Sequence, residues 1–203
     1  MSDLGAFVEI FVNEEYKNDL TINPKVIFDL GSNSGISALY FKLSYPEAKI
    51  FCFEPNSLVF NRLLKNTKQY SDDIICQNVA VADFDGLKKF YICKKNSLSS
   101  SFSKRESEGE YSEVMVKSIP SLLKELKIDK VDLMKFDIEG AEFKMFKNDF
   151  PFFAFNSMIG EIHLDLSESI IEKEDFLNKF RKIYSFVDVL NISEKRFILK
   201  VKQ

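Results

Sequence analysis

The chain has no tryptophan, one histidine and three cysteines among 203 residues, with only five prolines and seven glycines. Cys52, Cys76 and Cys93 each sit inside an apolar, strand-like run, with neither a Cys-x-x-Cys spacing nor a disulfide framework, so they read as buried free thiols in a reducing compartment. There is no surplus of positive charge: the formal net charge is -3, which excludes a protein held to nucleic acid by bulk electrostatics. No basic stretch precedes the first apolar residues and no run approaches membrane-spanning length, so a cytoplasmic location without membrane insertion is expected. What is abundant is phenylalanine, 21 residues of it, which points to a phenylalanine-packed core and not to a base-stacking surface.

At this length one domain with a substantial core is expected over 1–203, with no internal repeat and a helical segment over 1–24. Val26–Gly35, VIFDLGSNSG, is its most informative stretch. Val26, Ile27 and Phe28 form a buried strand that runs into a carboxylate, Asp29. The glycines Gly31 and Gly35 then open backbone angles closed to other residues and let a ligand approach the main chain. From Ile36 the apolar spacing becomes helical, through Leu39, Tyr40 and Leu43.

The same grammar repeats along the chain. Lys49–Phe53 reads as a second buried strand that meets Glu54, and a helix follows, capped near Ser57. Ile74–Val81 reads as a third strand. Asp85-Gly86 reads as a hairpin turn joining Ala80–Ala82 to Leu87–Cys93. Glu113–Lys117 is a short strand, Ser121–Leu126 a helix opened by Pro120, and Val131–Phe136 the next buried strand. Met158–His163 is a further core strand, Glu172–Ile183 a helix, and Phe186–Leu190 with Arg196–Val201 a closing strand pair. Alternating strands and helices predict an α/β fold, a mostly parallel sheet wound with helices on both faces. The polar stretch 94–112 reads equally as a solvated loop and as a lid over a substrate.

In such sheets ligands bind outside the carboxyl ends of the strands, and Asp29, Glu54, Asp137, Glu161 and His163 all fall there. Alternation along the strand puts Glu161 and His163 on one face. Asn33 and Ile36 occupy the second and third glycine positions of a dinucleotide fingerprint, and no phosphate-loop lysine follows. A nicotinamide oxidoreductase is therefore disfavoured, and a carboxylate before the turn suits a cationic or amine-bearing ligand. Asp137-Ile138-Glu139-Gly140 also differs from the Asn/Asp-Pro-Pro-Tyr pattern that grips a flipped base.

These features resemble the D-x-G-x-x-x-G signature of Rossmann-like, class I methyltransferases that use S-adenosylmethionine. More narrowly, DLGSNSG, FEPNSLVFNRLLKN, NVAVADFDG, KFDIEGAE and GEIH, in that order, resemble the FkbM family. The resemblance implies a seven-stranded sheet with an antiparallel C-terminal strand, and O-methylation of a hydroxyl on a small molecule or sugar. It implies that Asp29, Gly31, Asn33 and Gly35 hold the methionine part of the cofactor, that Glu54 holds the ribose, that Asn78, Val79 and Ala80 lie near adenine, and that Asp137 lies beside the methyl group. Ser118-Ile119-Pro120 stands where the family usually has Thr-Leu-Asp, which removes a carboxylate.

A proton acceptor is needed for an ordinary alcohol. His163, the one histidine, has an ordinary pKa suited to that role, and Asp137 competes for it. Glu139, Glu142 and Glu161 are candidates to orient either one. A metal-free site is expected, with a divalent ion on Asp137, Glu161 and His163 the lesser alternative. The rival to an enzyme is a non-catalytic adenosyl-binding or assembly module. The acceptor and the oligomeric state are open, an edge strand or Phe150–Phe155 being candidate interfaces.

Overall fold

The computed structural model describes residues 3–17, 23–92, 110–146, 149–166 and 173–203. Its strands, in chain order, are β1 (Val26–Leu30), β2 (Lys49–Phe53), β3 (Ile74–Gln77), β4 (Ala80–Ala82), β5 (Gly86–Ile92), β6 (Glu110–Ser118), β7 (Val131–Phe136), β8 (Phe155–His163), β9 (Phe186–Asn191) and β10 (Arg196–Lys202). The helices are α1 (Asp3–Phe7, continued by a π-helical turn over Val8–Val12), α2 (Ile36–Ser44), α3 (Ser57–Thr67), α4 (Ile119–Leu126), α5 (Glu142–Met145) and α6 (Lys173–Arg181). Seven strands form one sheet in the order β3-β2-β1-β7-β8-β10-β9. β3, β2, β1, β7 and β8 are parallel neighbours in that order, and β10 inserts antiparallel between β8 and β9.

The period-two alternation of the strands sorts the core. Ile27, Ile50, Leu133, Ile159 and Ile198 pack under Ala38 and Phe41 of α2 and Leu63 of α3. Phe28, Met134, Phe136, Met158 and Phe197 face the other way, against Leu122 of α4, Phe143 of α5 and Phe180 of α6. The abundance of phenylalanine is spent on this second face. The fully buried Phe146 has its ring centroid within 4.9–6.2 Å of those of Phe136, Phe150, Phe152, Phe176 and Phe180, mostly edge to face as ring quadrupoles prefer.

The expected hairpin at Asp85-Gly86 does not form. β6, longer than anticipated, lies between β4 and β5 in a separate three-stranded sheet, parallel to the first and antiparallel to the second. The expected strand Ile74–Val81 is accordingly two strands, broken after Gln77. Asn78 causes the break: its side-chain amide donates to the carbonyls of Glu54 (2.7 Å) and Pro55 (3.0 Å), tying the chain to the end of β2. Asp85 leaves its turn role to accept from Ser118 N (2.7 Å) and Ser121 Oγ (2.5 Å), capping α4 beside the Ser118 side chain. Most of the candidate lid, 94–109, lies outside the described residues, as does Cys93, while 110–112 open β6.

Candidate functional site

The chain order reverses direction in the sheet between β1 and β7, so their carboxyl ends flank a crevice. Gly31 (φ +72°) and Gly35 (φ +90°) turn the chain after β1, with Asn33 also left-handed at φ +48°. A Cβ on Gly31 would stand 1.9 Å from the Asp137 carbonyl oxygen, and Asp137 N donates to Leu30 O at 3.1 Å. The glycine turn and the end of β7 therefore touch backbone to backbone. Glu54 ties the turn down from the other side, accepting from Asn33 N (3.0 Å) and Asn56 N (2.8 Å). Burial pushes its carboxyl up to about 7 in spite of these two donors.

Beneath the turn lies a buried ion pair. Asp29 is fully buried; Ser37 Oγ donates to it at 2.6 Å and Lys135 Nζ lies 3.3 Å away. Lys135, one residue before the end of β7 and in register with Asp29, also donates to the Gly31 carbonyl at 2.8 Å and stands 5.4 Å from the Tyr16 ring centroid. Burial alone would lower its pKa, but the charges of Asp29 and Asp137 raise it, so the amine stays charged.

Across the crevice stands a second cluster. His163 ends β8 with its ring 1% exposed, and its Nδ1 lies 3.2 Å from Oε1 of the wholly buried Glu142. Glu142 in turn accepts from the backbone of Ile138 (3.2 Å) and Gly140 (3.0 Å) in the turn after β7, where Glu139 (φ +52°) and Gly140 (φ +96°) are left-handed. His163 Nε2 faces Glu161 Oε1 at 3.4 Å and Asp137 Oδ1 at 3.9 Å. Burial works to lower the imidazole pKa, but Glu142, then Asp137 and Glu161, raise it to about 9. A ring in that state carries its proton at neutral pH and has to lose it before it can act as a base. Burial, with help from the charge of Asp137, pushes Glu161 up to about 7.

Both clusters open into one cavity of about 570 Å³. Gly31, Asn33, Phe53, Glu54 and Ala80 line one side of it, and Asp137, Glu139, Glu161, His163 and Arg196 the other. Asn78 and Val79, expected near adenine, are not among its lining residues; Asn78 acts from behind as the clamp on β2. Ala80 and Val81 supply the apolar wall there. The segment 3–17 closes the cavity with Glu9, Ile10, Glu15 and Tyr16, and is pinned through Asp3 Oδ1 to Ser34 Oγ (2.9 Å) and to Arg62 (3.7 Å). Burial first, then the nearby charges of Glu9 and Asp137, raise Glu15 to about 7.

Sequence reading did not anticipate Lys135, Glu15, Tyr16 or Arg196 as part of this site. A signal existed for Lys135 alone, since a lysine inside an apolar central strand must find a partner. Glu142 was anticipated as an orienting group, and it does hold His163.

This strand order, with a glycine turn after the first strand and a carboxylate closing the second, defines a Rossmann-like, class I methyltransferase fold. The FkbM methyltransferase domain profile matches residues 29–197, and the chain belongs to that family of S-adenosylmethionine-dependent enzymes. It is similar to Methyltransferase 1 of Beauveria bassiana, 24% identical over 183 residues that cover 80% of this chain and 70% of that protein. It is also 30% identical over 87 residues, 42% of the chain, to the AMB antimetabolite synthetase AmbE of Pseudomonas aeruginosa, of which it spans only 4%. Among solved structures, M. capricolum TrmK in complex with S-adenosyl-homocysteine matches the whole chain and 68% of its own, with a TM-score of 0.53 at 12% identity. The Methanococcus jannaschii fibrillarin pre-rRNA processing protein matches 92% of this chain and 69% of its own, with a TM-score of 0.56 at 10% identity. At such identities the likeness is one of fold. Among the described residues no helix is long and apolar enough to cross a membrane.

Proposed function

We propose that the chain transfers a methyl group to a hydroxyl oxygen of a small molecule or sugar. The observation that carries this is the single cavity with two unlike walls, one a glycine turn with a carboxylate at its edge, the other an acid cluster around a histidine.

The first wall fits the methyl donor. Gly31 and Asn33 bring main chain to the cavity, Gly35, buried against Leu63 and Thr67 of α3, lets the turn pack closely on that helix, and Asp29 with Lys135 fixes the turn from below. Glu54 sits where ribose hydroxyls need an acceptor, and its carboxylate has lone pairs left beyond the two amides it holds. Ala80, Val81 and Phe53 give an apolar surface for a neutral base. The many carboxylates suit a ligand bearing a sulfonium and an ammonium group. When bound, S-adenosylmethionine supplies a methyl carbon already activated for displacement.

The second wall takes the acceptor. Methyl transfer to oxygen needs the hydroxyl held in line with that methyl group and relieved of its proton. Alignment within the cavity supplies several kcal/mol of the acceleration by removing the entropy of encounter. Glu161, titrating about 7 and facing the cavity, takes the proton, because an acceptor is most effective with its pKa near the working pH. Asp137, at the seam between the two walls, orients the hydroxyl, and the cationic His163 holds both carboxylates in place. The cavity lining carries six carboxyl groups, Glu9, Glu15, Glu54, Asp137, Glu139 and Glu161, against the cations Lys135, His163 and Arg196, a balance that disfavours a phosphate backbone and supports a small-molecule acceptor over a nucleic acid.

Calorimetric titration with S-adenosylhomocysteine, followed by a metabolite-extract screen with a labelled methyl donor, tests this reading. Binding of the nucleoside product together with label in a hydroxyl-bearing compound is expected, and Glu161→Gln should lower turnover while leaving product binding within about threefold. No binding by wild-type protein would end the methyltransferase reading for this chain. Binding without any labelled acceptor would favour the non-catalytic module, and label on nitrogen or on RNA would replace the acceptor class.

A further inference from the structure

We infer that Asp137 Oδ1, Glu161 Oε1 and His163 Nε2 form a binding site for one divalent cation of the Mn²⁺ or Mg²⁺ kind, placed so that an acceptor oxygen can complete its coordination. The inference rests on the O-methylation reading for its purpose, but the site itself stands on geometry.

These three side chains each turn one ligand atom toward a common point, with all three atoms within 4.8 Å of one another. Two come from alternate positions on β8 and the third from the end of the parallel neighbour β7, so the backbone sets their spacing. Cis ligands of a six-coordinate ion with bonds of about 2.1 Å stand about 3 Å apart. Glu161 Oε1 and His163 Nε2, at 3.4 Å, are close to that separation, and Asp137 Oδ1, at 3.9 Å from Nε2, has to move in by about 1 Å.

Two observations separate this from an ordinary acid cluster. Asp137 Oδ1 is buried and has no hydrogen-bond partner, although an uncompensated carboxylate oxygen is costly away from water. His163, 1% exposed, is anchored through Nδ1 by the wholly buried Glu142, which leaves Nε2 facing the cluster, 3.4 Å from Glu161 Oε1 and 3.9 Å from Asp137 Oδ1. An imidazole braced on one nitrogen by a buried carboxylate, with the other nitrogen presented beside two carboxylate oxygens, is how proteins prepare a histidine as a metal ligand. Glu142 receives backbone hydrogen bonds from Ile138 and Gly140, so the brace is itself braced by the turn that carries Asp137.

Two oxygens and one nitrogen suit a six-coordinate ion such as Mn²⁺ or Mg²⁺ better than Ca²⁺, which takes six to eight oxygens. The three protein ligands leave the cavity side of the ion open. Binding the ion displaces the Nε2 proton of His163 to solvent, so the metal-bound state is an alternative to the one in which His163 is charged and Glu161 takes the proton. A hydroxyl bound to the ion is held in place and loses its proton more readily, the proton leaving to cavity water while Asp137, Glu161 and His163 keep the cation.

The test uses chelator-stripped full-length protein and Mn²⁺ as the probe, read by electron paramagnetic resonance and calorimetry. One Mn²⁺ per chain and a rise in Tm are expected for wild type. Asp137→Asn and Glu161→Gln should each weaken binding at least tenfold, and Glu142→Gln, acting through His163, by about 10–100-fold. Exposed Glu47→Gln should leave binding unchanged. Absence of saturable Mn²⁺ binding by wild type, or binding that survives equally in all three site variants, overturns the inference. The same samples are titrated with S-adenosylhomocysteine: nucleoside binding without Mn²⁺ removes the cation site alone, and Mn²⁺ binding without the nucleoside removes the donor reading and leaves the cation site standing. If a substitution prevents folding, the wild-type stoichiometry and Tm shift still decide the question.

Discussion

Lys135 and Asp29 offer the sharpest test of how the cofactor side is held up. We predict that Lys135→Met destabilises the chain by about 3–5 kcal/mol, because it leaves a fully buried carboxylate with the Ser37 hydroxyl as its remaining donor. Asp29→Asn should cost less, about 1–3 kcal/mol, since Lys135 keeps the Gly31 carbonyl at 2.8 Å and the charge of Asp137. The double variant leaves neither charge stranded. Its cost should fall short of the sum of the singles by about 1–3 kcal/mol, the coupling expected of two groups 3.3 Å apart in a dry interior. Urea unfolding of all four proteins, followed by fluorescence of the tyrosines or by far-ultraviolet circular dichroism, gives the cycle. Additivity within about 0.5 kcal/mol would refute the pairing and would mean that Lys135 answers chiefly to the carbonyls of the turn.

Three further outcomes follow from the site. Because His163 is the only histidine, one imidazole resonance should titrate near pH 9 in wild type and well below that in Glu142→Gln; an unmoved titration would show that Glu142 is not what holds the proton. Glu15, Glu54 and Glu161 are raised to about 7 and His163 to about 9, so the folded chain binds these protons more tightly than the unfolded one. That contribution is complete below the unfolded values, about 4.5 for the carboxyls and 6.5 for the imidazole, and drains as pH climbs through 7 and then 9; urea midpoints should therefore fall steadily from pH 5 to pH 9, and a rise across that window would contradict the burial of the carboxyls and the pairing of His163 with Glu142. Gly31→Ala, whose methyl would stand 1.9 Å from the Asp137 carbonyl oxygen, should lower stability by several kcal/mol and abolish nucleoside binding, whereas Gly86→Ala, with nothing within 4 Å, should cost only its backbone strain of about 1–3 kcal/mol and spare binding.

The large sheet was legible because its signals are local. VIFDLGSNSG carries a buried run, a charge and two glycines in ten residues, and each constrains the next. The small sheet was not, since Asp85-Gly86 is a sound turn signal but nothing near it says that β6, reached only after the chain leaves β5, will lie between β4 and β5. The candidate acids could be read from strand ends, where alternation fixes the face. Their protonation could not: His163 owes its charge to Glu142, 21 residues earlier, and a sequence does not display the burial that makes this contact strong. Lys135 was visible as a lysine in an apolar strand, yet its partner Asp29 lies 106 positions away and is brought beside it only by the register of β1 with β7. Glu15 and Tyr16 gave no sign at all, because they lie in the turn beyond the helical pattern, and nothing local says what that turn will cover.

The family match begins at residue 29, yet Glu9, Glu15 and Tyr16, which help wall the cavity, come before it. The cavity is thus not portable as the matched domain alone. A fragment cut to the family boundaries would lose Val26–Phe28 of the central strand and leave Lys135 without its aromatic neighbour, and a chimaera that exchanged only 3–17 between relatives would disturb both the Asp3 tie to Ser34 in the glycine turn and the Tyr16 contact with Lys135. On the proposed function, a change in 3–17 is therefore expected to move donor affinity and acceptor room together, so the two properties are coupled through one N-terminal segment.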